Sequence, residues 1–151
     1  PVLAAGGIAD GRGVAAAFML GARGVQVGTR FLCATECQVH PNYKKKILAA
    51  RDIDTVVTGK RLGHPVRCLK NPFAGSFGQM EYDSTITNEE IEAFGAGSLR
   101  KAAVEGDMEN GSIMSGQIAA LVKEEQPAAQ IIREMFAQAE TLLAEAAKWV
   151  K

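Results

Sequence analysis

An α/β fold headed by a parallel βαβ unit is predicted by three features of the opening stretch, Pro1 to Leu32. Two short apolar runs, Pro1–Ala5 and Gly24–Val27, each end in glycine. Between them the apolar stretch Val14–Leu20 has helical length and follows a polar candidate N-cap, Asp10. Gly21 then suits the left-handed position just beyond a helix C-terminus. Mostly apolar strands on either side of a helix are what a parallel sheet buried on both faces requires.

The strand ends form the first candidate site. Gly6–Gly7 and Gly28–Thr29 each lead from a strand into a polar or helix-starting segment. Bare backbone N–H groups at such a place attract an anion through unsatisfied donors and the helix dipole. Glycines that only make tight turns give the same local pattern. Two such loops at one βαβ spacing favour a shared phosphate, as in (β/α)8 barrels, where the loops after the last two strands hold one.

Composition sets the class. At 151 residues, 47% hydrophobic and 23% charged, the chain lies in the globular range and is too apolar for disorder. A formal net charge of +0 gives no global attraction to nucleic acid or to an anionic membrane. No apolar run reaches the length of a membrane span and no signal peptide opens the chain, so a cytoplasmic location is expected. Cys33, Cys37 and Cys68 make no disulfide framework and suit a reducing compartment. Cys33 and Cys37 are expected at i, i+4 on one helix. With His40 and His64 as the remaining soft ligands, idle thiols outweigh a metal pair, and no metal is expected. The chain has no initiator Met and opens inside an apolar strand. A closed (β/α)8 barrel takes about 250 residues, so a C-terminal piece of a longer protein is expected.

Further along, Thr29 caps a short helix running toward Cys37, and Pro41 opens a basic helix over 42–50. Lys44, Lys45 and Lys46 on that helix read as a solvated face. Short strands are expected at 54–58 and 65–69. Lys60, Arg61, His64, Arg67 and Lys70 surround them, with no acid between Asp54 and Glu81. This positive patch suits a nucleotide phosphate, an acidic carrier protein or plain solvation. Asn71–Gln79 reads as a turn-rich, mobile segment.

Thr87–Glu90 is a capping box ahead of Ile91 and Phe94. Ser98 starts a short helix to about residue 104, and 105–111 is a polar turn. Ser112–Gln117 leads into an apolar helix over 118–122. There Gly116 permits close approach of a ligand or backbone, while Gln117 reads first as a capping or surface amide. Pro127 opens a long helix to Val150, with Ile131, Met135, Ala139, Leu142, Leu143, Ala146 and Trp149 on one stripe. Trp149 reads as a core or docking anchor.

These runs point to a family. AAGGIADGRG, GARGVQVGTRF, HPNYKKKIL, RDIDTVVTG and GSIMSGQIAALV together resemble the C-terminal part of flavin-dependent enoyl-acyl carrier protein reductase II. That enzyme sits among the nitronate monooxygenase (2-nitropropane dioxygenase) flavoproteins. The resemblance implies an α/β fold comprising the last two strands of a (β/α)8 TIM barrel and a smaller α+β C-terminal subdomain. The expected divisions are 1–50 for the last two βα units, 51–86 for the basic excursion and 87–151 for a C-terminal helical segment packing back on the barrel.

Leu3–Ala5 would be strand seven and Val25–Val27 strand eight. Ala5, Gly6, Gly7, Val27, Gly28 and Thr29 would hold the FMN phosphate. Ser112, Met114, Gly116 and Gln117 would line flavin or substrate. Lys60, Arg61, His64 and Arg67 would meet the nucleotide or the carrier. The family's catalytic histidine lies earlier in the barrel, so catalytic residues are expected upstream of Pro1, and neither His40 nor His64 takes that role.

The implied reaction uses NADH or NADPH and FMN to reduce a trans-2-enoyl-acyl carrier protein thioester in fatty acid synthesis. The implied full-length enzyme is a homodimer, and this chain without its N-terminal part is expected to be inactive. Nitronate oxidation is the first alternative, and a non-catalytic phosphate-binding fragment the second. A relative of inosine monophosphate dehydrogenase is disfavoured because its cysteine loop is not evident.

Overall fold

The computed structural model describes residues 1–146 and Lys148. Contacts group the chain into two units: Pro1–Cys37 with the segment from Leu121 onward, and Gln38–Ala120. The sequence suggested divisions at 50 and 86. The basic helix groups instead with the hairpin that follows it, and of the C-terminal segment the part from Leu121 onward groups with the head of the chain.

In the first unit, β1 (Leu3–Ala5) and β2 (Gly24–Gln26) pair in parallel. Leu3 lies opposite Gly24, Ala4 opposite Val25 and Ala5 opposite Gln26. The connecting helix, α1 (Gly11–Met19), starts where Asp10 predicts. The Asp10 carboxylate accepts the Arg12 backbone N–H at 2.9 Å and the Arg12 guanidinium at 2.6 Å. Gly21 has φ 93°, the left-handed geometry expected after the helix.

The apolar face of α1 is buried against α7 (Ala128–Ala146). Val14, Ala15 and Ala17 meet Ile131, Met135 and Ala139, so the stripe read from the sequence is a core face. Leu142 and Leu143 extend it; Trp149 and Val150 lie outside the described residues. Gly11 sets the approach. A Cβ there would stand 2.5 Å from the Met135 carbonyl oxygen and 2.6 Å from the Ala139 nitrogen. The Gly11 N–H donates to Gln138 Oε1 at 2.8 Å. The start of α1 is therefore clamped to α7 by contact and by a hydrogen bond.

Cys33 and Cys37 do not share a helix. The short helix α2 (Thr29–Leu32) ends at Cys33, where the next residues bridge to a distant segment at Gln126. Ala34 bridges Gln126 in parallel fashion, Thr35 N–H donates to the Gln126 carbonyl at 3.0 Å, and Gln126 N–H returns to the Cys33 carbonyl at 3.3 Å. Cross-chain pairing satisfies these backbone groups and ends the helix.

In the second unit, α3 (Pro41–Leu48) is capped by His40, whose Nδ1 accepts the Asn42 N–H at 3.1 Å. Lys45 and Lys46 are exposed as expected, but Lys44 is buried, so the lysine run is not one solvated face. β3 (Thr55–Thr58) and β4 (Val66–Leu69) form the expected strands and pair antiparallel. Residues 113–115 run beside β4: Leu69 N–H donates to the Ile113 carbonyl at 2.8 Å and Ser115 N–H to the Arg67 carbonyl at 3.1 Å.

The segment read as turn-rich is a helix, α4 (Pro72–Tyr82). Asn71 caps it, its Oδ1 accepting the Ala74 N–H at 2.9 Å, and Pro72 occupies the first turn, where no donor is lost. Burial of Phe73 and Phe77 against Ile91 outweighs the helix-weakening glycines.

The capping box of α5 (Asn88–Gly95) is present in both directions: Thr87 N–H to Glu90 Oε2 at 2.7 Å, and Glu90 N–H to Thr87 Oγ1 at 3.2 Å. α6 (Ser98–Ala103) follows. The apolar run expected as an α-helix over 118–122 is a 3-10 turn, Gln117–Leu121. It is tightened by Ala119 N–H on the Gly116 carbonyl at 3.1 Å, and it is too short to nucleate an α-helix alone.

Gly11→Ala should destabilise the full-length protein by about 1–3 kcal/mol through overpacking. Gly75→Ala, where a Cβ meets nothing within 4 Å, should be neutral or stabilising. Urea unfolding of both variants checks this pair.

Candidate functional site

The parallel register places both glycine ends on one edge of the β1–β2 pair. Beyond Ala5 opposite Gln26, the chain continues as Gly6–Gly7 on one strand and Val27–Gly28 on the other. Paired strands lie about 4.8 Å apart, so one small anion can be reached from both ends. Gly6 and Gly7 have φ 89° and 73°, conformations that strain any L side chain. A Cβ at Gly6, Gly7 or Gly28 would meet nothing within 4 Å, so the backbone faces open space. The N–H groups of Gly7 and Gly28 have no hydrogen-bond partner among the described residues. Thr29 begins α2 directly after Gly28, which caps that turn with no side chain of its own.

The two strand ends differ from the expected pair of open helix N-termini. The first loop does not run onto an open helix N-terminus. Asp10 takes the Arg12 N–H, and Gln138 takes the Gly11 N–H. The donors left at that strand end include those of the glycine loop itself. Asp10 is also the acid nearest the loop in sequence, and it is held by Arg12. The Arg12 guanidinium and backbone N–H keep the Asp10 carboxyl below its ordinary value.

Behind α2 lies a network that the sequence did not disclose. Arg30 is buried and donates to the Glu124 carbonyl at 3.2 Å and to Gln126 Oε1. Gln126 Nε2 donates to Glu134 Oε2 at 3.0 Å, and Gln130 Nε2 to Glu134 Oε1 at 2.7 Å. The chain of bonds ties α2 to the 124–126 segment and to α7. An arginine after Gly28–Thr29 is visible in the sequence, but nothing there marks it as turned inward.

The remaining sequence-read residues lie in the second unit. Ser112 is buried, and its N–H donates to the Ser98 carbonyl at 3.0 Å. The Met114 carbonyl accepts the Tyr43 hydroxyl at 2.6 Å. Gly116 is half-buried and Gln117 exposed. Ser112, Met114 and His64 come together at an apolar cavity of about 330 Å3 with Phe73, Phe77 and Ile91.

The basic patch therefore divides. His64 faces that cavity, whereas Lys60, Arg61 and Arg67 line a different groove. Arg61 is committed to structure: its guanidinium donates to Asn88 Oδ1 at 2.9 Å, the Asp83 carbonyl at 2.8 Å and the Ile86 carbonyl at 2.5 Å. Among the described residues no cluster of three metal-ligating side chains occurs.

Comparison with known proteins places this arrangement. The family model for nitronate monooxygenase matches residues 1–138. The chain belongs to the nitronate monooxygenase family. A probable nitronate monooxygenase of Staphylococcus saprophyticus is 42% identical over 124 residues, which is 82% of this chain and 34% of that protein. One from Staphylococcus aureus is 41% identical over 118 residues, 78% of this chain and 33% of the relative.

Among solved structures, FabK from Thermotoga maritima matches with TM-score 0.94 and 49% identity, over 99% of this chain and 47% of that one. A nitroalkane oxidase from Streptomyces ansochromogenes matches with TM-score 0.76 and 28% identity, over 100% of this chain and 41% of that one. The chain thus spans about a third of these curated family members and just under half of FabK. The expected kinship with the C-terminal part of this flavoprotein family is met.

The depressed pKa of Asp10 has a defined sign. A carboxylate held below its ordinary value of 3.8 adds stability above that pH and loses it as pH falls through the folded value. Asp10→Asn keeps an N-cap and removes the charge. The variant should be less stable than the parent at neutral pH, and the gap should close below about pH 4. Urea midpoints at the two pH values measure it.

Proposed function

We propose that the whole protein is an FMN-dependent NAD(P)H oxidoreductase that reduces trans-2-enoyl-acyl carrier protein thioesters in fatty acid synthesis. In this reading β1 and β2 are strands seven and eight of a (β/α)8 barrel. The supporting observation is the pair of glycine ends on one sheet edge, with N–H groups at Gly7 and Gly28 that find no partner among the described residues. Ala5, Gly6, Gly7, Val27, Gly28 and Thr29 would hold the phosphate of FMN, and the bare glycine backbone fits a dianion approached from two strands. When bound, FMN would supply the hydride chemistry between the nicotinamide and the β-carbon of the enoyl thioester. The chain's own residues grip and orient; the proton-handling and ring-facing groups are proposed to lie in the part of the barrel before Pro1. The full-length enzyme is proposed to be a cytoplasmic homodimer.

Reduction is preferred to oxidation on similarity. The chain is 49% identical to FabK and 28% identical to the nitroalkane oxidase, with TM-scores of 0.94 and 0.76. Nitronate oxidation is the second reading, because the curated relatives at 42% and 41% identity carry that name. Both readings share the phosphate grip and differ in the substrate.

Two assays on the purified full-length protein separate them. Crotonyl thioester with NADH should be turned over, and nitronate with oxygen should not; the reverse result would establish the second reading. Bound flavin should absorb near ~450 nm, which a non-catalytic phosphate-binding protein would not show. Gly7→Val should weaken FMN retention by at least about tenfold, since it strains the loop and blocks its donors. Unchanged flavin content in that variant would contradict the grip.

A further inference from the structure

The groove beside β3 has features that the phosphate grip does not use. It encloses about 460 Å3, within the usual range for small-ligand sites. β3 forms one side, and Gly78 and Tyr82 of α4 form the other. Tyr82 is 87% exposed, an aromatic face set on solvent at the end of α4. Gly78 lies in the interior of α4, where glycine is unfavourable. Neither a left-handed φ nor close packing requires it, since a Cβ there would meet nothing within 4 Å. The missing side chain leaves the groove wall bare.

The charges are arranged to match. Lys60 and Arg67 line the groove, and neither meets a carboxylate within ion-pair distance among the described residues. Arg67 spends one N–H on Thr55 Oγ1 at 2.9 Å and keeps the rest of its fork available. The one acid lining the groove, Glu81, is occupied: its Oε2 accepts the Gly59 N–H and its Oε1 the Arg61 N–H, both at 2.9 Å. It pins the hairpin to α4. Arg61 is tied to the loop between α4 and α5. Two free cations beside an aromatic platform and a bare helix wall suit a flat ring carrying phosphate.

We propose that this groove binds a nucleotide, with its phosphates on Lys60 and Arg67 and its base against Tyr82 across Gly78. For the identity of the physiological nucleotide this rests on the oxidoreductase reading, which would make it the nicotinamide co-substrate. The groove itself is testable without turnover.

Calorimetric titration of the full-length, FMN-saturated protein with ADP is the direct test, with adenosine and inorganic phosphate as separate probes. ADP should bind. Arg67→Met should weaken ADP about tenfold, the loss of one charge-assisted hydrogen bond, and leave adenosine unchanged. Tyr82→Ala should weaken ADP and adenosine alike. Gly78→Leu should abolish ADP binding by filling the groove, with no fall in melting temperature and no loss of flavin. ADP affinity that ignores both Gly78→Leu and Arg67→Met would overturn the proposal, as would no ADP binding by the parent protein. Phosphate binding as tight as ADP, indifferent to Tyr82→Ala, would reduce the groove to an anion site and overturn the nucleotide. Loss of acidic carrier protein binding alone in Gly78→Leu would make the face a protein dock instead. Groove-dependent ADP binding without enoyl reduction would overturn only the reductase reading.

Discussion

The structure depends first on the parallel register of β1 and β2. Three residue pairs, from Leu3–Gly24 to Ala5–Gln26, place the two strand ends side by side. A slip of one residue would turn the side chains of one strand to the opposite face. Either Ala4 on the first strand, or Val25 and Val27 on the second, would then leave the cluster around Val14 and Ile131. The same slip would set Gly7 against a different backbone group and break the shared opening. Packing of the core and presentation of the glycine N–H groups are thus fixed by one choice of register.

That register is held from outside the sheet. Two three-residue strands cannot secure themselves in water. The clamp at Gly11 brings α7 onto α1, and the Arg30–Gln126–Glu134 network ties α2 to the same helix. Both glycine loops are therefore attached to elements fixed by α7. The second unit solves a similar problem differently. Glu81 from α4 accepts two backbone N–H groups of the turn after β3, and Arg61 from that turn reaches back over the end of α4. Charged side chains there serve backbone geometry, while Lys60 and the part of the Arg67 fork not bonded to Thr55 stay outside that scaffold.

Local signals in the sequence carried well where the physics is local. Asp10 and the Thr87–Glu90 box cap helices because the side chain and the N–H it serves are a few residues apart. Gly21 and the paired glycine loops were legible for the same reason, as their backbone conformation is decided on the spot. What failed to read depends on distant partners. α4 is a helix because Phe73 and Phe77 find Ile91, and Gly75 and Gly78 pointed the other way. Lys44 is buried, the helix after Thr29 stops at a bridge to Gln126, and Arg30 turns inward, none of which has a short-range signature. The candidate phosphate loops were found from spacing; the division of the basic patch into a committed Arg61 and a free Lys60–Arg67 pair needed the fold.

The proposed function turns on one phosphate being gripped from two adjacent strand ends. A crystal structure of the full-length protein with FMN tests it most directly. The account predicts phosphate oxygens at about 2.7–3.2 Å from the Gly7 N–H and from the N–H of Gly28 or Thr29 together. A phosphate held by other loops, with the Gly7 and Gly28 N–H groups bonded only to water, would contradict it.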